Sequence, residues 1–118
     1  RPYLNKVAIP DFEGISSTDI LIFSPKENQS NKYYIAYLMR HKHFVSYSNS
    51  RSTGANLPRI SPKAIMEYKI NLPPIELQNK FADIVKQTEL LKFQYQDSEK
   101  ELDNLFNSLI QRAFKGEL

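Results

Sequence analysis

Between Glu27 and Glu67 the chain contains no acidic residue, yet it carries Lys32, Arg40, Lys42, Arg51, Arg59 and Lys63 together with His41 and His43. A basic stretch free of carboxylates creates a positive potential suited to a polyanion such as nucleic acid. The plainer reading is a solvated basic face with no partner. Within this stretch, Ser50-Arg51-Ser52-Thr53-Gly54-Ala55-Asn56-Leu57-Pro58-Arg59 sets two guanidiniums around small hydroxyl and amide groups. Arginine grips guanine O6 and N7 bidentately, asparagine does the same to adenine, and hydroxyls serve phosphate oxygens. Arg40, Lys42, Arg51, Ser52, Thr53, Asn56, Arg59 and Lys63 are therefore the candidate DNA-contacting residues. Arg51 is the candidate base reader and Arg59 the candidate phosphate grip. The bland alternative is an ordinary polar loop in which Arg59 pairs with an acid such as Glu67.

No catalytic constellation can be assembled. The three glycines, Gly14, Gly54 and Gly116, are far apart, so there is no phosphate-cradling loop. His41 and His43 are two residues apart, which on one helix places them on different sides, and no carboxylate lies near either. The chain has no cysteine, which excludes a disulfide scaffold, a thiol nucleophile and a Cys-ligated metal. Asp97, Glu99, Glu101 and Asp103 fall within a predicted helix, where an exposed charged face explains them. No catalytic residue, metal or cofactor is expected.

The elements that must position the basic residues fit one small domain and an extension. The chain has 118 residues, 41% apolar and 25% charged, ordinary values for a globular protein. Its formal charge of +3 is uneven: residues 1 to 72 carry ten Lys/Arg against five Asp/Glu, and residues 73 to 118 carry six against eight. Neither a membrane span nor a signal peptide is recognisable, and the absence of cysteine is compatible with a cytoplasmic protein. Because the chain begins at Arg1, it is expected to be a piece of something longer.

The predicted fold class is α+β: a small mixed head, residues 1–72, followed by one long helix, residues 73–118. Tyr3 to Ile9 and Thr18 to Phe23 are rich in β-branched and aromatic residues and bounded by Pro10 and Pro25, which predicts two strands. Tyr34, Ile35, Leu38 and Met39 recur at helical spacing, predicting a helix from Asn31 to about Val45 with Ser30 or Asn31 as N-cap. Ser46 to Asn56 is predicted as a loop. Ser61-Pro62 predicts a short helix to about Glu67, and Tyr68 to Leu72 a last strand.

From Ile75 to Phe114 there is neither Gly nor Pro, and Lys115-Gly116 provides a cationic end and a glycine cap. Forty residues at ~1.5 Å each make a rod of roughly 60 Å, long enough to project from so small a head. A 3,4 alternation picks out Phe81, Ile84, Thr88, Leu91, Tyr95, Ser98, Leu102, Leu105, Leu109 and Arg112. Seven of these ten are apolar, the pattern of a coiled-coil seam with polar interruptions. Phe81, Ile84, Leu91, Tyr95, Leu102, Leu105 and Leu109 are the candidate dimer residues. An amphipathic helix lying along a core is the competing reading.

Three runs together resemble a known family: Ser52-Thr53-Gly54-Ala55-Asn56-Leu57-Pro58-Arg59-Ile60-Ser61; Ile70-Asn71-Leu72-Pro73-Pro74-Ile75-Glu76-Leu77-Gln78 leading into Phe81-Ala82-Asp83-Ile84-Val85; and Leu109-Ile110-Gln111-Arg112-Ala113-Phe114-Lys115-Gly116-Glu117-Leu118. Their order and spacing are similar to those of the DNA specificity subunit of type I restriction-modification systems. Arg1-Pro2-Tyr3-Leu4-Asn5-Lys6-Val7-Ala8 also resembles a stretch of that family's target recognition domain. The resemblance implies a noncatalytic subunit that selects double-stranded DNA for a methyltransferase subunit and a motor-nuclease subunit. It also implies head-to-tail repeats whose long helices pair antiparallel. Because the family's recognition domain is longer than 72 residues, the head here is expected to be incomplete at its N-terminal side, in a half-subunit or a smaller fragment that forms a homodimer or joins a second specificity repeat. The alternative is a helical assembly module with no DNA reading of its own.

Overall fold

The computed structural model describes residues 1–117 of the chain. It is mostly helical: after a 3-10 turn at Pro2–Leu4 come α1 (Lys32–Arg40), α2 (Lys42–Ser50), α3 (Pro62–Met66) and α4 (Ile75–Phe114). No strand is present among the described residues, which corrects the α+β expectation. The β pairing there amounts to an isolated antiparallel bridge, Thr53 with Arg59.

Each strand-prone segment fails for the same reason: a strand needs a neighbouring strand for its backbone groups, and none of the three meets another. Tyr3 and Leu4 are absorbed into the 3-10 turn, which Asn5 closes in the left-handed region at φ 45°. Ile20 donates its N–H to Ser17 O in a turn, and Ile20, Leu21, Ile22 and Phe23 stay exposed. Tyr68–Leu72 is held by side chains instead. The Tyr68 ring packs on Phe44 and Tyr47, and the Tyr34 hydroxyl donates to Asn71 O at 2.8 Å.

The single helix expected from Asn31 to Val45 is two helices. Asn31 caps α1, its side chain accepting from Tyr33 N. His41 then adopts an extended conformation (ψ 140°) and caps α2. The break has a packing reason. At 100° per residue an unbroken helix would align Ala36, Arg40 and Phe44 along one side and carry Arg40 inward with the two buried residues. Restarting at Lys42 buries Phe44 and Ser48 while Arg40 stays outside. α2 also extends through Ser50, so the first part of the predicted loop is helical.

The signals at α3 and α4 act as expected. The Ser61 side chain accepts from Ala64 N, with Pro62 in the first turn. α4 ends at a Schellman-type cap: Glu117 N bonds Arg112 O, Gly116 N bonds Ala113 O, and Gly116 takes φ 72°.

The chain divides into two units, Arg1–Ala82 and the part from Asp83 onward. The first turns of α4 thus belong to the head unit. The buried apolar side chains are Ala36, Phe44, Ile65, Ala82 and Val85. Gln78 is also fully buried. Its Oε1 accepts from Asn31 N at 2.9 Å, and its Nε2 donates to Gln29 O and Pro73 O at 3.0 and 2.8 Å. One amide thereby ties the entrance of α1 to the entrance of α4 and leaves no polar atom of its own unpaired. In the unit from Asp83 onward, Ile84, Leu91, Tyr95, Leu102, Leu105 and Leu109 are exposed.

Candidate nucleic-acid interface

Arg40 and Lys42 lie at the start of α2, Arg51 and Ser52 at its end, and Thr53, Asn56, Arg59 and Lys63 on the loop and α3 that follow. At the start of α2, Arg40 and Lys42 line one open hollow together with Asn5, Val45, Ser46 and Asn49. Arg40 does not swing freely: Nη2 donates to Val7 O at 2.6 Å, and the guanidinium lies 5.5 Å from the centre of the Tyr37 ring. The Asn5 amide donates to Arg40 O at 3.2 Å and completes the tie between the N-terminal turn and α1.

At the far end of α2, Arg51 is the capping residue and sits 5.6 Å over the Tyr47 ring. Tyr47 is itself fixed, since its hydroxyl donates to Ala64 O at 2.7 Å. The Ser52 hydroxyl is already used, donating to Ser48 O at 2.7 Å. Thr53 and Arg59 exchange two backbone hydrogen bonds, each 2.9 Å, and so close the loop that carries Asn56. Gly54 makes that closure possible. At φ 117°, a conformation closed to L side chains, a Cβ there would also come within 3.2 Å of Leu57 O. Asn56 is exposed on this loop, and Lys63 is exposed on α3.

Arg59 has a partner that sequence distance hides. Its Nη1 lies 3.0 Å from Asp19 Oδ1, an acid from well outside the acid-free stretch, and Glu67 plays no part. Both side chains are more than half exposed, so solvent weakens the pair. Arg40, Lys42, Arg51 and Lys63 have no carboxylate partner among the described residues. Two residues of the hollow, Ser46 and Asn49, were missed by the sequence reading. Their signal was available in principle, because both follow Lys42 at helical spacing, but the predicted loop concealed it.

The histidines depart from expectation as well. With the helix broken at His41, the two rings come together, centroids 4.9 Å apart, and His41 Nδ1 accepts from His43 N. They line a second hollow with Tyr34, Leu38, Tyr68 and Lys69. No group of three or more His, Cys, Asp or Glu able to hold a metal occurs among the described residues.

The family model for the type I restriction modification DNA specificity domain matches residues 3–104. The chain belongs to this family. It is also similar to the type I restriction enzyme EcoDI specificity subunit of Escherichia coli, with 31% identity over 126 residues covering 100% of this chain and 27% of that protein. A putative type I restriction enzyme MjaX specificity subunit from Methanocaldococcus jannaschii is 32% identical over 90 residues, covering 70% of this chain and 20% of the relative. The chain therefore spans about a quarter of the length of the first relative and a fifth of the second. No solved structure matches it.

The specificity-domain match takes in both ends of α2, the loop to Arg59 and most of α4, while Leu105 and Leu109 lie beyond it. Of the predicted seam residues, Phe81 stands apart: it is half-buried in the head unit, edge-on to Tyr34 and Tyr37 at 6.0 and 5.6 Å. The Thr88 hydroxyl bonds the Ile84 carbonyl of its own helix at 2.8 Å and needs no partner from outside. No described helix is long and apolar enough to cross a membrane.

Proposed function

We propose that this specificity-domain chain is the noncatalytic DNA-recognition portion of a type I restriction-modification enzyme. Its head, residues 1–72, contacts one half-site of duplex DNA. Its long helix, α4, pairs with a second such helix, in a homodimer or from a second specificity repeat, and docks the methyltransferase; cleavage belongs to a separate motor-nuclease subunit. The observation that carries this reading is the set Arg40, Lys42, Arg51 and Lys63: four exposed cations without carboxylate partners, on an acid-free stretch inside the family match. Such cations release condensed counterions when they meet phosphates, so affinity for duplex falls steeply with salt.

A second reading, an assembly module that does not read DNA, draws on the exposed apolar residues of α4. Titration of the chain with random-sequence duplex across a salt series separates the two. Recognition by the head gives a log–log slope of about −0.9 for each phosphate contacted, near −3 to −4 for these four cations. A flat response leaves the assembly module.

A further inference from the structure

The two ends of the basic stretch differ in how many of their donors are already spent. In the loop, the hydroxyls of Ser50 and Ser52 donate to carbonyls of α2, and Arg59 is paired with Asp19. On α2 itself, Lys42, Ser46 and Asn49 follow one another at i, i+4 and i+7, which places them along one side of the helix. All three are exposed, and none of their side chains has a hydrogen-bond or ion-pair partner among the described residues. The opposite side is turned inward, with Phe44 and Ser48 buried. Arg40, anchored by Val7 O and the Tyr37 ring, borders the start of this polar stripe, and the hollow between them measures about 440 Å³.

We infer that the solvent face of α2 is a DNA-reading surface that lies in the major groove, with Asn49 bonded to a base edge and Lys42 and Arg40 on the phosphate backbone. The inference deepens the DNA-recognition reading above and rests on it. Three features support it. The nine residues of α2 span about 14 Å, the length of roughly four base pairs, and the major groove, ~12 Å wide, admits an α-helix. No carboxylate occurs on α2 or in the chain segments flanking it, so the helix itself carries no group that repels phosphate. The Asn49 amide offers a donor and an acceptor in one plane, the pair that matches adenine N6 and N7.

The test is selection from a randomised duplex pool, followed by titration at two salt concentrations, with the full wild-type chain, Asn49→Ala and Lys42→Ala. Asn49 is exposed and alanine favours helix, so the first variant keeps its fold, which circular dichroism verifies. Asn49→Ala is expected to bind but to lose roughly 5- to 150-fold discrimination at one base pair. Lys42→Ala is expected to weaken all sequences alike and to make the salt slope shallower by about 0.9. If the wild type discriminates and Asn49→Ala keeps the same preference at every position, the role of α2 is overturned and DNA recognition stands. If the wild type has no salt-dependent affinity for any duplex, both fall.

Discussion

In the head, apolar and aromatic side chains from α1, α2 and the chain after α3 close on one another: Phe44 meets Tyr68, Tyr47 meets Tyr68, and Phe81 sits between Tyr34 and Tyr37. In the unit from Asp83 onward a continuous helix leaves Leu91 at 53%, Leu102 at 66% and Leu105 at 58% exposure. The same residue types thus satisfy themselves locally in one region and stay open in the other. Short helices joined by turns let a chain fold back on its own apolar surface, whereas a single continuous helix cannot bury its stripe against itself. The head can be stabilised from within, whereas burial of the α4 stripe against another helix belongs to the pairing proposed above.

Breaking the open side of this comparison has the largest expected effect. Charging Leu102 and Leu105 together (Leu102→Glu with Leu105→Glu) removes about 1.5–3 kcal/mol of burial per leucine from a helix pair. The double variant is expected to dissociate in light scattering while the unfolding of the head is unchanged. A wild type that stays monomeric at high concentration rules out pairing of α4 with itself.

The closed side is probed by Gln78→Ala. The substitution leaves Asn31 N–H and two carbonyls without their partner, and an unpaired buried group costs about 1–3 kcal/mol. Urea unfolding is expected to show a loss of about 3 kcal/mol. A loss under about 1 kcal/mol would mean that water replaces the amide and that the start of α4 is held by apolar contact alone.

Asp19→Asn sharpens the contrast between stability and charge within the head, and its effect on stability is the smallest. An ion pair this exposed contributes about 0–1 kcal/mol, so Tm should barely move. Affinity for random duplex should rise as Arg59 is released and one negative charge is removed. Unchanged affinity together with lowered stability would assign Arg59 to holding the loop.

Much of the local structure was legible from neighbours in the chain. The bounds of α4, the Asn31 and Ser61 caps and the glycine end at Gly116 all follow from signals that act within one turn: missing Gly and Pro, side chains that accept from nearby N–H groups, and a residue tolerant of positive φ. The basic composition of the candidate site was equally plain, because charge is a property of residue type. The order and spacing of the loop and α4 runs pointed to the specificity-subunit family without any coordinates.

Tertiary structure decided what depends on partners remote in sequence. β-propensity in Thr18–Phe23 and Tyr68–Leu72 describes a surface ready to pair, and no second strand is there to pair with it. The break at His41 has no Gly or Pro to announce it and arises from the conflict between burying Phe44 and exposing Arg40. That restart brings the two histidine rings together and sets Lys42, Ser46 and Asn49 in line on α2. Phe81 fits a heptad seam by its number, yet two tyrosines of α1 claim it for the head. Arg59 lies in a stretch without acids, yet Asp19 reaches it through space. Residue types determine which contacts are favourable, and only the folded chain determines which of them are within reach.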